Sequence, residues 1–192
     1  LAEGAYVALC GELRCAEGSR PLDLRLLYDA QAAAPALTPG AVTVASPSLA
    51  GWQPDGQPGA AFRRQLVGQI AAQLALATAP DAPAALLQVI GDWAAADLAG
   101  GDAAADETMA AALRAGRLLP LHRAWDAVVR GGGDSALARA ELASLLHFLH
   151  SIWGSDAAGL LLQHSAGSFD EMARRAFQVD GESLQDGWLA WL

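Results

Sequence analysis

The sequence predicts a predominantly α-helical α+β domain, with a short N-terminal β-hairpin or small sheet ahead of a helical body. Three observations predict it. Period-two alternation is confined to the first third of the chain. From about residue 61 onward the apolar segments are separated by Gly, Pro, Asp and Ser in helix-cap positions. The apolar fraction is 53% and the charged fraction 17%, which is too apolar for a disordered chain.

Ala2 to Leu13 reads as a short helix. Pro21 to Asp29 alternates, with Leu22, Leu24, Leu26 and Tyr28 on one face and Asp23, Arg25 and Leu27 on the other, so it reads as a strand. Pro35, Pro39 and Gly40 make a turn-rich connection to a second strand, Ala41 to Ser46. Pro47 to Gly59, with three prolines, three glycines and Trp52, reads as an ordered loop.

Ala61 to Thr78 is a helix containing one glycine, Gly68, which costs about 1 kcal/mol against alanine and therefore needs a reason. Asp81 and Pro83 start the next helix, which stops at Gly100-Gly101. Asp106 and Glu107 open another, closed by Gly116. Pro120 to Val129 is shorter and ends at Gly131-Gly132-Gly133. Asp134 or Ser135 caps a long helix to Trp153, and Ser155 starts one to about Gln163. Ser168 and Glu171 have capping-box spacing before a helix to Phe177, and Ser183 begins the last. No repeat and no interior linker appears, so residues 1–192 read as one domain: a β-containing part to about residue 60, then a helical part. Opening on Leu1, the chain reads as a piece of a longer protein.

Twelve basic residues, all arginine, stand against 21 acidic ones, for a formal charge of −9. A net-acidic chain has no general attraction for phosphate backbones or anionic lipid, so nucleic acid is not an expected partner. No apolar run approaches the ~18 residues of a spanning helix, so this segment is not expected to insert into a membrane.

Cys10 and Cys15 are too few and wrongly spaced for a zinc site. A local disulfide is one reading, which places the domain outside the cytoplasm or at the cell envelope. Two free thiols in a reducing compartment are the other. Gly131-Gly-Gly-Asp134 lacks the Lys-Ser/Thr of a phosphate loop. His147 and His150 share one face of the long helix, so a metal site with Asp126 or Asp156 is an alternative to simple packing. His122 and His164 come from other segments. The six tryptophans read as core.

The order of elements around Gly68 resembles the zincin-like metallopeptidase domains of the peptidase MA type. Short strands lead into a helix, and a second helix ends in Ala-Asp-Leu-Ala-Gly100. The tail carries Trp153-Gly154, Ala166-Gly167-Ser168, and Gly181-Glu182-Ser183 followed by Trp188 and Trp191. In that family the first helix carries His-Glu-x-x-His and the second Glu-Gly-x-Ala. The motif falls here on Gly68-Gln69-Ile70-Ala71-Ala72, behind the apolar lead-in Gln65-Leu66-Val67, and the third ligand falls on Asp92.

The resemblance implies a degenerate site. Gly68 and Ala72 have no donor atom, the Gln69 amide cannot take a proton from water, and Asp92 alone does not hold a catalytic zinc. The expectation is a non-catalytic pseudo-peptidase domain with no metal or cofactor, acting by binding a peptide or protein in a residual cleft or as a structural module. Two alternatives stand beside it: a metal-dependent hydrolase with a relocated site at His147 and His150, and an intracellular helical interaction domain.

Overall fold

A computed structural model describes residues 1–15, 21–28, 37–46, 53, 56–100, 103–131 and 135–192, with only the backbone described for 103–106 and 135. The α+β reading holds, with the strands confined to the N-terminal part. Helix α1 spans Ala2–Glu12 and is followed by strands β1 (Asp23–Leu27) and β2 (Ala41–Ala45). The helical body comprises α2 (Ala60–Thr78), α3 (Ala84–Ala99), α4 (Ala103–Arg114), α5 (Leu121–Val129) and α6 (Ser135–Trp153). After a 3-10 turn at Gly154–Asp156 come α7 (Ala157–Gln163), α8 (Phe169–Phe177) and α9 (Gly181–Trp191).

The hairpin is a correction. β1 and β2 pair in parallel, with Asp23 opposite Ala41 and Leu27 opposite Ala45. The segment between them is long enough for the dozen or so residues that a parallel return needs, and the prolines read as a hairpin turn serve that longer connection instead. The strand hairpin that the zincin resemblance implies ahead of α2 is therefore absent among the described residues. Two boundaries also move. α4 begins three residues before Asp106. α9 begins at Gly181 because Asp180, not Ser183, is its cap: the Asp180 carboxylate accepts the Ser183 N–H at 2.7 Å. That bond holds the Asp180 carboxyl below its usual range. The predicted loop at 47–59 and the caps at Gly132 to Asp134 fall largely outside the described residues. The capping box at α8 is present, with Ser168 N–H donating to Glu171 at 2.9 Å.

β2 is the inner strand. Val42 and Val44 are buried, and two glutamines of α2 hold the backbone along it. Gln65 accepts the Ala45 N–H at 3.1 Å. Gln73, 2% exposed, accepts the Gly40 N–H at 3.1 Å and donates to the Thr38 carbonyl at 2.9 Å. A buried amide with both ends engaged avoids the penalty of an unpaired polar group. These residues lie eight apart on α2, and both reach β2.

Gly68 has its reason. α2 and α3 pack backbone to backbone at Gly68 and Gly91. A Cβ on Gly91 would stand 2.7 Å from the Gly68 carbonyl oxygen, and a Cβ on Gly68 would stand 3.1 Å from that of Gly91. Around the crossing lie Val67, Ala71, Ile90 and Ala94, all buried. Trp93, Trp125 and Trp188 are fully buried, which fits the core reading. Trp191 departs from it at 45% exposed, and Trp52 lies outside the described residues. The Trp188 and Trp125 N–H groups donate to Ser144 Oγ and to the Gly167 carbonyl.

Cys10 and Cys15 are joined at disulfide distance, with Cα atoms 4.9 Å apart. Cys15 N–H donates to the Cys10 carbonyl at 3.0 Å, so the backbone already turns back on itself there.

Two measurements check this packing. Gly91→Ala is expected to lower unfolding stability in urea by about 1–3 kcal/mol, as overpacking does. Gly68→Ala is expected to lose less, since its contact is longer and both changes regain the same helix propensity, about 1 kcal/mol. Equal, negligible effects would mean that the helices do not approach this closely. For the cysteines, alkylation of denatured, unreduced protein is expected to leave both unmodified, and mass labels appear only after reduction.

Candidate functional site

The four positions of the degenerate motif come together. Gly68, Gln69 and Ala72 of α2 and Asp92 of α3 line one groove of about 940 Å³, closed on its other side by α4 and α6. Both glycines of the close crossing, Gly68 and Gly91, are part of its lining. Helical spacing places Gly68 and Ala72 on one line, and the close crossing swings Asp92 onto the same surface. The wall supplied by α6 presents Arg139 and His147. Arg139 Nη1 donates to Gln88 Oε1 of α3 at 3.2 Å, bridging the groove's two sides.

The chemistry of this lining is that of hydrogen bonding. Gln69 offers a neutral amide with a donor and an acceptor; Gly68 and Ala72 offer nothing that binds a metal. Among the described residues no three His, Cys, Asp or Glu side chains converge at a spacing that would hold a metal ion.

The histidines divide. His147 and His150 both flank the Trp93 ring, at centroid distances of 6.4 and 5.9 Å. Asp126 pairs with Arg130 on its own helix at 3.4 Å, and Asp156 with Arg14 at 3.9 Å. The carboxylate whose surroundings include His150 is instead Glu12 of α1, which also feels Asp97 of α3. Burial pushes the Glu12 carboxyl up, His150 opposes that, and Asp97 adds to it. No periodicity links residues 12, 97 and 150, so only packing brings their charges near one another. His122 lies elsewhere, with Pro120, Phe169 and Asp170 at a second recess of about 540 Å³. Asp170 there serves the fold: it accepts the Gly181 N–H at 2.9 Å and pairs with Arg174 at 3.1 Å.

Glu141 is the group that sequence reasoning missed. It is fully buried on α6. Its Oε1 accepts the Leu119 N–H at 2.8 Å, next to the start of α5, and its Oε2 is buried without a partner. Burial raises its carboxyl to about 7, partly opposed by the Leu119 bond. A signal was available: Ala138, Leu142, Leu145 and Leu149 form the buried stripe of α6, and Glu141 falls beside it, where a helix meets its neighbours.

No family model matches the chain, and no curated protein and no solved structure is detectably similar to it.

The raised Glu141 value has a definite sign. The folded state binds this proton more tightly than the unfolded chain does. Its contribution is therefore fully present below the ordinary carboxyl range near 4.5 and is lost as pH rises through about 7. Wild type is expected to lose on the order of 2 kcal/mol of stability between pH 5 and pH 8 from this group. Glu141→Gln keeps the acceptor for Leu119 and is expected to flatten that slope in urea titrations. An unchanged slope would mean that Glu141 is not the group responsible.

Proposed function

We propose that this chain is a non-catalytic binding domain, a pseudo-peptidase in which a groove persists where a zincin holds its metal. The observation that carries the reading is the convergence of Gly68, Gln69, Ala72 and Asp92 on one groove. Those are the positions at which the resemblance places a metal site; Gly68 and Ala72 carry no donor atom, Gln69 offers only a neutral amide, and the Asp92 carboxylate alone does not make a zinc site. The ligand class that fits is an extended peptide. Gln73 already engages both the N–H and the C=O groups of a turn, and Gln69, one helical turn away, offers the same amide to the groove. The paired cysteines support an oxidising compartment, outside the cytoplasm or at the cell envelope.

The competing reading, a hydrolase built on His147 and His150, rests on the two histidines set side by side against Trp93 and is separated by metal content. Purified protein equilibrated with zinc and then desalted is expected to hold less than stoichiometric metal. Stoichiometric zinc that is lost in His147→Ala or His150→Ala would overturn the proposal. On the binding side, an array of unstructured peptides is expected to contain sequences that bind wild type and not Gln69→Trp, which fills the groove from a half-exposed position. Peptides that bind both proteins equally would place recognition elsewhere.

A further inference from the structure

The outer edge of β1 is built to pair with another strand. The phase of the β1–β2 ladder follows from the Asp23 N–H donating to the Gly40 carbonyl at 2.8 Å and the Ser46 N–H donating to the Leu27 carbonyl at 2.7 Å. In a parallel ladder successive residues address opposite edges. Asp23, Arg25 and Leu27 therefore bond to β2, and Leu24 and Leu26 turn their N–H and C=O groups outward. β2 is held against α2 on its far side by Gln65 and Gln73. β1 has no such cover among the described residues. Leu24 is 49% exposed, Leu26 38% and the adjoining Tyr28 73%. An edge strand with an exposed apolar row is a template for a further strand; β1 carries no proline and no bulge, and the charges it does carry, Asp23 and Arg25, are of opposite sign.

The pattern of β1 is complementary to itself. If two copies meet antiparallel about a two-fold axis through Leu24, Asp23 of one stands opposite Arg25 of the other, and the pairing occurs twice. On the opposite face Leu24 meets Leu24 and Leu22 meets Leu26. The outward N–H and C=O groups of Leu24 and Leu26 fall in the hydrogen-bonded positions of this register. Opposite charges directly across a strand pair stabilise it, and like charges destabilise it. Centring on Arg25 would set arginine against arginine, and centring on Leu26 would leave both charges without a counterpart. A one-residue slip also moves every side chain to the other face.

We infer that β1 is a homodimer interface, in which the outer edges of two copies pair antiparallel about Leu24 to make one four-stranded sheet in the order β2-β1-β1-β2. Such a sheet relieves a structural weakness, since two strands alone are marginal and four with an apolar face are not. The interface is independent of the groove between α2 and α6, so it stands or falls separately from the peptide-binding reading.

Sedimentation of the full chain across a concentration series tests it. A reversible monomer–dimer equilibrium is expected. Leu24→Pro removes an outward N–H and leaves the β2 ladder intact, because proline is tolerated on the solvent side of an edge strand. It is expected to weaken the dimer at least about tenfold, with an unchanged circular dichroism spectrum. Asp23→Arg alone and Arg25→Asp alone are each expected to weaken it several-fold by setting like charges opposite, and the two together are expected to restore it. A chain that stays monomeric at every concentration, or a dimer indifferent to Leu24→Pro, would overturn the interface. A double exchange no tighter than either single change would overturn the register.

Discussion

The backbone contact between Gly68 and Gly91 is the constraint from which the rest of the body is arranged. Two helices ordinarily pack with axes 8–10 Å apart, held there by side chains at the crossing. Here the crossing has none, and each glycine sits against the other's carbonyl oxygen. A glycine in a helix interior costs about 1 kcal/mol, so this pair is a standing cost offset by what the close approach permits. It brings Val67, Ala71, Ile90 and Ala94 into a dense seam, and dispersion at short range rewards such a seam. It also decides which faces of α2 remain available. One takes β2, and another, with both glycines in its lining, opens as the groove.

The sheet depends on α2 in turn. A two-stranded parallel pair has little stability of its own, and this one is anchored through side-chain amides rather than through further strands. Gln65 and Gln73 act at β2 as a neighbouring strand would, supplying acceptors for Ala45 and Gly40. Among the described residues the far side of β1 receives no such treatment, and Leu24 and Leu26 are exposed. An inner strand clasped by a helix and an outer strand left open are two consequences of the same arrangement.

Charge contributes little to holding the body together. The ion pairs among the described residues, such as Arg174–Asp170 at 3.1 Å, involve side chains at least 42% exposed, where water and salt screen them. The buried Glu141 is a different matter. It ties α6 to the residues entering α5 through one oxygen and keeps the other in an apolar setting. A carboxyl so placed prefers to be neutral, in a chain whose remaining acids make the whole strongly anionic.

What could be read from the residues was what local physics controls. Turn chemistry and caps gave the helices in order, down to the reciprocal bonds of Ser168 and Glu171, because a helix end must satisfy its own N–H groups within a few residues. The helical cost of Gly68 asked for a reason without naming it, and the lack of metal-binding donors at Gly68, Gln69 and Ala72 followed from their side chains alone. The direction of strand pairing did not follow. Alternation marks a strand and says nothing about which neighbour it meets or in which sense, and a proline-rich connection serves a crossover as well as a turn. Nor did the partner of Gly68, the charges gathered around Glu12, or the burial of Glu141. Each depends on residues tens of positions apart arriving at one place, and that is decided by how whole helices pack rather than by any pattern along the chain.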